Sequence, residues 1–272
     1  MKNFSVSICV YGGDNAQYFD LAMQSIFNQT LMPDEVILVV DGPVGGDIND
    51  VISKYQGEIL KVIRLEKNVG HGDARRIGLE NCTYDLVALM DADDISAKDR
   101  FKKQIDAFSE NPDISIVGGQ ISEFIDNIDN IVGKRIVPIE DKDIKEYMKK
   151  RCPMNQMTVM FKKEDVQNAG GYLDWYCDED YYLWIRMALA NLKFANVPDV
   201  LVNVRVGNEM YQRRGGLKYF KSEAKLQKFM LENKIISFPR YVINVTQRLI
   251  LQVLMPNRLR GFIFKIFARE KV

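Results

Sequence analysis

Two short apolar runs that each stop abruptly at an aspartate constrain this chain most. Val36-Ile37-Leu38-Val39-Val40 ends at Asp41-Gly42-Pro43, and Leu86-Val87-Ala88-Leu89-Met90 ends at Asp91. Runs without polar alternation leave no face for water, so they read as strands buried on both sides, as in a parallel sheet covered by helices. Residues 4–10 add an alternating strand, and 60–65 a further one. Between them, 16–28, 48–56 and 72–82 have helical periodicity. This alternation predicts βαβ units and an α/β fold with a mostly parallel central sheet flanked by helices. Ligands of such sheets gather beyond the carboxyl ends of the strands. Tyr11, Asp41 and Asp91 stand at those ends.

Farther along, Ser96 is placed to cap a helix carrying the stripe Phe101, Ile105 and Phe108, with Asp99 completing a variant capping box. Residues 114–124, 131–137 and 158–161 read as strands. Residues 140–150, 179–190 and 217–233 read as helices, the last long and charged. The pattern shows no internal repeat.

A single histidine, His71, limits the chemistry. It excludes a His-rich metal site, and a Ser-His-Asp triad would have to use it from a Gly-flanked loop. Acid–base work therefore falls to carboxylates. The four cysteines form no CxxC pair, which suits reduced thiols rather than structural zinc. A formal net charge of +0 argues against a nucleic-acid partner. With no opening signal and no apolar run near ~18 residues, the expected location is the cytoplasm.

Asp91-Ala92-Asp93-Asp94 follows a buried strand directly. Three adjacent acids repel unless something positive lies among them. A divalent cation such as Mn²⁺ or Mg²⁺ would do this and would also hold a diphosphate. Taken alone, the same acids serve equally as a helix-capping loop. Asp41 at its strand end is either a base N–H acceptor or a turn residue before Gly-Pro. Tyr11 is either a nucleoside contact or a packing aromatic. A second acidic pair, Glu179-Asp180, opens a helix, where negative charge is stabilised by about 0.3–1 kcal/mol. Its functional reading is a general base for an attacking sugar hydroxyl, with Trp175, Tyr181 and Trp184 raising its pKa and offering stacking faces.

The ordered set Val10-Tyr11, Asp41, Asn68-x-Gly70, Ala74-Arg75, Asp91-Ala92-Asp93-Asp94, Gly170-Gly171-Tyr172 and Glu179-Asp180-Tyr181 resembles glycosyltransferase family 2 over roughly residues 4 to 220. The stretches Asn155–Phe161 and Arg205–Gly216 are similar to amylovoran-type exopolysaccharide and capsule glycosyltransferases of bacteria. The resemblance implies a GT-A fold, the nucleotide-diphospho-sugar transferase fold, with a C-terminal helical tail. Its transferase domain would span 1–216, with a nucleotide half over 1–110 and an acceptor half over 111–216, and the helical extension 217–272. It implies inverting transfer of one sugar from a nucleotide-diphospho-sugar, UDP-linked by default, to a glycan or polyprenyl-diphosphate-linked acceptor. Val10, Tyr11, Asp41, Asn68, Gly70, Arg75, Asp91, Ala92 and Asp93 would bind the nucleotide-sugar. Asp93, with Asp91, would hold the metal, and Asp91 would face the ribose; Asp180 would be the base, with Glu179 near the acceptor. Gln156, Trp175, Arg213 and Arg214 would meet the diphosphate or acceptor.

Gln156 departs from the family, where relatives often carry His. The alternatives are a degenerate transferase kept as a binding subunit, and a sugar nucleotidyltransferase. The latter normally opens with a basic Gly-rich loop that Tyr11-Gly12-Gly13-Asp14 lacks. Residues 240–272 carry seven Lys or Arg against one Glu among apolar residues. That pattern either docks on an anionic surface, placing the protein peripherally on the inner membrane face, or packs on the body with a solvated basic rim.

Overall fold

The computed structural model describes residues 3–207 and 215–255. Among these residues nine strands form one sheet in the order β3-β2-β1-β4-β8-β6-β9-β5, with β7 beside β6. The first four are β1 (Phe4–Tyr11), β2 (Glu35–Asp41), β3 (Leu60–Arg64) and β4 (Leu86–Met90), all parallel. Helices α1 (Ala16–Phe27), α2 (Gly46–Lys54) and α3 (His71–Asn81) connect them.

The unbroken runs are buried on both faces, as their composition demands. Val36, Leu38 and Val40 enter one core with Phe19, Ile48 and Phe101, while Ile37 and Val39 enter a second with Ala74, Trp184 and Met230. Strand β4 divides the same way, Ala88 and Met90 to the first core and Val87 and Leu89 to the second.

The far half of the sheet is mixed. Strand β8 (Met160–Lys162) runs antiparallel to both β4 and β6 (Ile114–Phe124). Strand β7 (Ile131–Arg135) is antiparallel to β6, and β9 (Lys193–Arg205) is parallel to it. The sequence pattern did not reveal β9, whose alternation is broken by Pro198-Asp199. It passes that break with register shifts against β6.

The capping expectation at Ser96 is also corrected. Helix α4 (Arg100–Glu110) starts later, and Asp99 at its N-cap position makes no side-chain cap bond. Ile95–Ser96 is instead strand β5, antiparallel to Asn203 and Val202 of β9. Ser96 N donates to Ser25 Oγ at 3.0 Å and Ala97 N to Leu201 O at 2.8 Å. The main chain after the aspartates is thus committed to the sheet.

The second core is closed by α5 (Asp141–Met148), α6 (Lys163–Asn168), α7 (Glu179–Leu189) and α8 (Leu217–Glu232). Helix α9 (Phe238–Leu249) packs against α8 in an inverted sense. Its inward side pairs Tyr241, packed on the second core, with two polar residues: Asn244 donates to Lys149 O at 2.8 Å and to Gln227 Oε1 at 2.7 Å, and Arg248 Nε lies 2.9 Å from Glu223 Oε2. Phe238, Val242, Ile243 and Leu254 are exposed. The described part of the tail therefore packs on the body through Tyr241, Asn244 and Arg248. Residues 256–272 lie outside the described set.

Candidate active site

Parallel register brings Tyr11 opposite Asp41 at the carboxyl edge of β1 and β2. Tyr11 is 45% exposed, and its ring occupies the space a side chain at Gly13 would need. Asp14 closes this turn: Asp14 Oδ2 accepts from Tyr11 N at 3.0 Å, and Asp14 N donates to Tyr11 O at 3.1 Å. Asp41 is buried and holds the following loop. Its Oδ1 accepts from Val69 N at 2.7 Å and its Oδ2 from Gly70 N at 3.2 Å, while Asn68 Nδ2 donates to its carbonyl at 3.3 Å. Gly42, at φ +86°, lets that loop approach, since a Cβ there would lie 2.6 Å from Asn68 N. Val10 and Ala92 are buried apolar residues packed beneath the site.

The three aspartates after β4 have distinct surroundings. Asp91 Oδ1 accepts from Arg75 Nη2 at 2.9 Å. Asp94, 2% exposed, accepts from Arg205 N at 2.9 Å, and burial together with Asp93 and Asp91 holds its carboxyl well above the usual range. Asp93 keeps a solvent-facing surface. Surrounding protein and Asp91 nevertheless push its carboxyl up to about 6. Asp14 is raised as well, by burial first and then by Asp91.

Glu179 and Asp180 form the first turn of α7. Asp180 Oδ1 accepts from Tyr181 N at 2.6 Å. Burial and Asp180 raise the Glu179 carboxyl, against the lowering influence of Arg75. Arg75 Nη1 donates to Glu179 Oε1 at 3.0 Å. With its amide oriented to satisfy its neighbours, Gln156 donates to Asp180 Oδ2 at 3.0 Å and accepts from Arg75 Nε at 3.2 Å and Nη1 at 2.8 Å.

One guanidinium, only 6% exposed, thus joins Asp91 to Glu179 directly and to Asp180 through Gln156. Burial lowers its pKa, but Asp91 and Glu179 more than offset this and raise it. Arg75 is also the main reason the His71 imidazole lies below its ordinary value, with burial second. Trp175 packs against Tyr182 in a tilted pair with ring centroids 4.3 Å apart. Arg213 and Arg214 lie outside the described residues.

Three participants escaped the sequence reading. Asp14 looked like a turn residue. Arg205 lay within a family-like stretch without a role; its N–H binds Asp94, its Nε donates to Asp93 O at 3.3 Å, and its guanidinium lies 3.8 Å from the Tyr18 ring centroid. Asp178 lay inside an acidic run. It is 4% exposed, and burial, then Glu223 and Asp180, push it up to about 9.

The family model for glycosyl transferase family 2 matches residues 5–166. The chain belongs to glycosyl transferase family 2. It is 36% identical to an Escherichia coli UDP-Gal:alpha-D-GlcNAc-diphosphoundecaprenol beta-1,3-galactosyltransferase, over 98% of this chain and 97% of that one. It is also 36% identical to the amylovoran biosynthesis glycosyltransferase AmsE of Erwinia amylovora, over 96% and 98% of the two chains. A mannosyltransferase from Pyrobaculum calidifontis, solved with GDP-Man and Mn²⁺, superposes with a TM-score of 0.63 at 14% identity, covering 98% of this chain and 73% of that one. That likeness shows the GT-A fold. As a family member the chain is a glycosyltransferase, and the carboxylates at the ends of β2 and β4 lie where such sheets bind ligands.

Proposed function

We propose that the protein transfers one sugar, with inversion, from a UDP-linked donor to a hydroxyl of a polyprenyl-diphosphate-linked glycan during bacterial exopolysaccharide, capsule or O-antigen assembly. The acceptor class follows the E. coli relative, whose substrate is a sugar diphosphoundecaprenol. The observation that carries the reading is the Arg75 bridge from Asp91, on the donor side, to Glu179 and Asp180, on the acceptor side. It makes the two acidic pairs one site.

In this reading the nucleoside lies across Tyr11, Asp41 and the Asn68–Gly70 loop, with Asp91 toward the ribose. The acceptor hydroxyl meets Asp180, which takes its proton as the oxygen attacks the anomeric carbon. The bond from that carbon to the diphosphate breaks, and the nucleoside diphosphate leaves. Arg75 and Gln156 hold Asp180 and Glu179 in place, so little reorganisation is needed at the moment of attack.

A divalent ion fits the donor set. Asp93 sits among Asp91, Asp94 and Asp14 with its pKa raised, a site that gains from a cation. Among the described residues no three His, Cys, Asp or Glu side chains are arranged to hold an ion. Mg²⁺ or Mn²⁺ at sites of this class is held by one or two carboxylates together with substrate phosphates. Asp93, with Asp91, would hold it, and when bound it would offset the charge on the departing diphosphate.

Among the described residues no helix is long and apolar enough to cross a membrane. The outward apolar side of α9 supports peripheral docking on the inner membrane face, near a lipid-linked acceptor. The proposed division is a transferase body over 1–216 and an extension over 217–272, whose first helix packs into the second core.

The test is a panel of nucleotide sugars with and without Mn²⁺, followed by transfer to a synthetic diphosphate-linked acceptor and NMR assignment of the product anomer. UDP-sugar binding strengthened by Mn²⁺ and an inverted product are expected. A retained anomeric configuration refutes the single-displacement mechanism.

A further inference from the structure

Beside the acceptor end of the site lies a cavity of about 280 Å³ that the proposed mechanism leaves unused. One wall is the loop residues Asp174, Trp175 and Tyr176. The other is the face of α8 that carries Lys218, Lys221 and Lys225. Their i, i+3, i+7 spacing aligns them on one side of the helix. Glu223 and Gln227 face α9 from another side. Ser222 Oγ ties the two walls together by donating to Tyr176 O at 2.6 Å.

Among the described residues none of these three lysines has a carboxylate in salt-bridge range. Lys218 Nζ rests 3.9 Å from the Tyr176 ring centroid and Lys225 Nζ 4.1 Å from that of Trp175. Three ammonium groups thus converge on a cavity holding one carboxylate, Asp174, two of them placed over aromatic faces. A second cavity, of about 300 Å³, also has three lysines, Lys145, Lys149 and Lys234. There Lys145 is paired with Asp141 at 2.9 Å and Lys149 with Glu146. Among the described residues the first cavity has three lysines without a carboxylate partner, and the second has one, Lys234.

The cavity adjoins the base by a single turn of chain. Asp178 N donates to Trp175 O at 3.3 Å, and Glu179 and Asp180 follow at once. We propose that the Lys218–Lys221–Lys225 cavity binds the diphosphate of the acceptor, on the side of Asp180 away from the donor. This rests on the reading that the acceptor is diphosphate-linked. A diphosphate offers several anionic oxygens to three ammonium groups through charge-assisted hydrogen bonds. The Trp175 ring then stands between that charge and the acceptor sugar.

Two measurements test it, on Lys218→Gln/Lys221→Gln/Lys225→Gln and on the control Lys145→Gln/Lys149→Gln. The first is calorimetric titration with inorganic pyrophosphate in a chelator, which suppresses metal-assisted binding at the donor site. The triple variant should lose about tenfold or more in affinity relative to the control, as expected when hydrogen bonds to charged groups are removed. Equal affinity overturns the proposal. The second is kinetics with a sugar-diphosphate-lipid acceptor. Acceptor KM should rise by about the same factor while nucleotide-sugar KM stays put. A matching rise in donor KM, the same loss in the control, or no change in either KM overturns it. So does a triple variant whose only loss is binding to anionic phospholipid vesicles, because the cations would then read lipid headgroups. If the wild type uses no diphosphate-linked acceptor, the proposed function falls, and the pyrophosphate titration still decides the cavity.

Discussion

Arg75 Nη1 lies 3.0 Å from Glu179 Oε1, a contact between residues 104 apart in sequence. It joins α3, beside the nucleotide-binding strand ends, to the first turn of α7. Removing the guanidinium strands two carboxylates that are only 23% and 13% exposed. Arg75→Met should therefore cost about 3–5 kcal/mol, the range for breaking a buried pair from one side. Arg75→Lys keeps the charge but not the fork, so it should recover part of the stability and little of the activity. Chemical denaturation and transfer assays on both variants check this. Wild-type activity in Arg75→Lys would show that charge alone suffices.

Asp180→Asn keeps the shape and the acceptor for Tyr181 N, but not the basicity. Transfer should fall by about 10²–10⁴, the usual contribution of a general base. Nucleotide-sugar affinity should be largely unchanged, because among the described residues the links from Asp180 to the donor side run through Gln156 and Arg75. Calorimetry with the donor alone separates the two effects, and full activity in the variant removes the base assignment.

Much of this site was legible in sequence because strand ends are punctuated. An apolar run that stops at Asp41 or Asp91 announces both the strand and the edge where ligands collect. The Arg75 bridge was not legible, since nothing local indicates that α3 and α7 meet across the sheet. Strand β9 stayed hidden behind Pro198-Asp199, whose break in the alternation is absorbed by register shifts against β6. Ser96 misled because a short polar residue before a helical stripe looks like a cap, while β9 had already claimed its backbone. Lys218, Lys221 and Lys225 showed in sequence only as part of a long charged helix, since nothing local places Trp175 and Tyr176 opposite them.

Gly42 is the hinge of the loop that Asp41 holds. An alanine there combines positive φ with a backbone clash, because the new Cβ would lie 2.6 Å from Asn68 N and 3.0 Å from Lys67 C. Gly42→Ala should cost about 1–3 kcal/mol. It should also weaken nucleotide-sugar binding by displacing Asn68 and Gly70. Denaturant midpoints and donor titrations measure both. Lost stability with intact donor affinity would exclude this loop from the nucleotide site.

Asp178 keeps its proton in the folded state, being pushed from 3.8 up to about 9 by burial, Glu223 and Asp180. Unfolded, the same carboxyl ionises near its ordinary value. Between these limits the folded protein binds more protons, so stability falls as pH rises through the window, by up to about 1.4 kcal/mol per pH unit from this group. The facing groups are Glu223, Asp180, Ser222 and Arg248. Asp178→Asn should flatten that slope and gain on the wild type as pH rises. Parallel stability–pH curves for the two proteins would show that Asp178 is ionised after folding.

The inverted packing of α9 changes how membrane docking is to be tested. Deleting 240–272 would remove Asn244 and Arg248, leaving Glu223 without its cation near Asp178, so lost activity would say nothing about lipid. The outward residues are separable from that packing. Ile243 is 48% exposed and Leu254 68% exposed. Burying a side chain of that size in a lipid interface contributes about 1.5–3 kcal/mol. Basic residues at an anionic surface add about 1 kcal/mol each. Ile243→Glu/Leu254→Glu reverses both contributions without touching Asn244 or Arg248. The wild type should sediment with anionic vesicles and the double variant should remain largely in solution, with unchanged folding stability and unchanged transfer to a water-soluble acceptor. Undiminished sedimentation of the variant would exclude the outward side of α9 and the following turn, Ile250–Leu254, as the membrane contact.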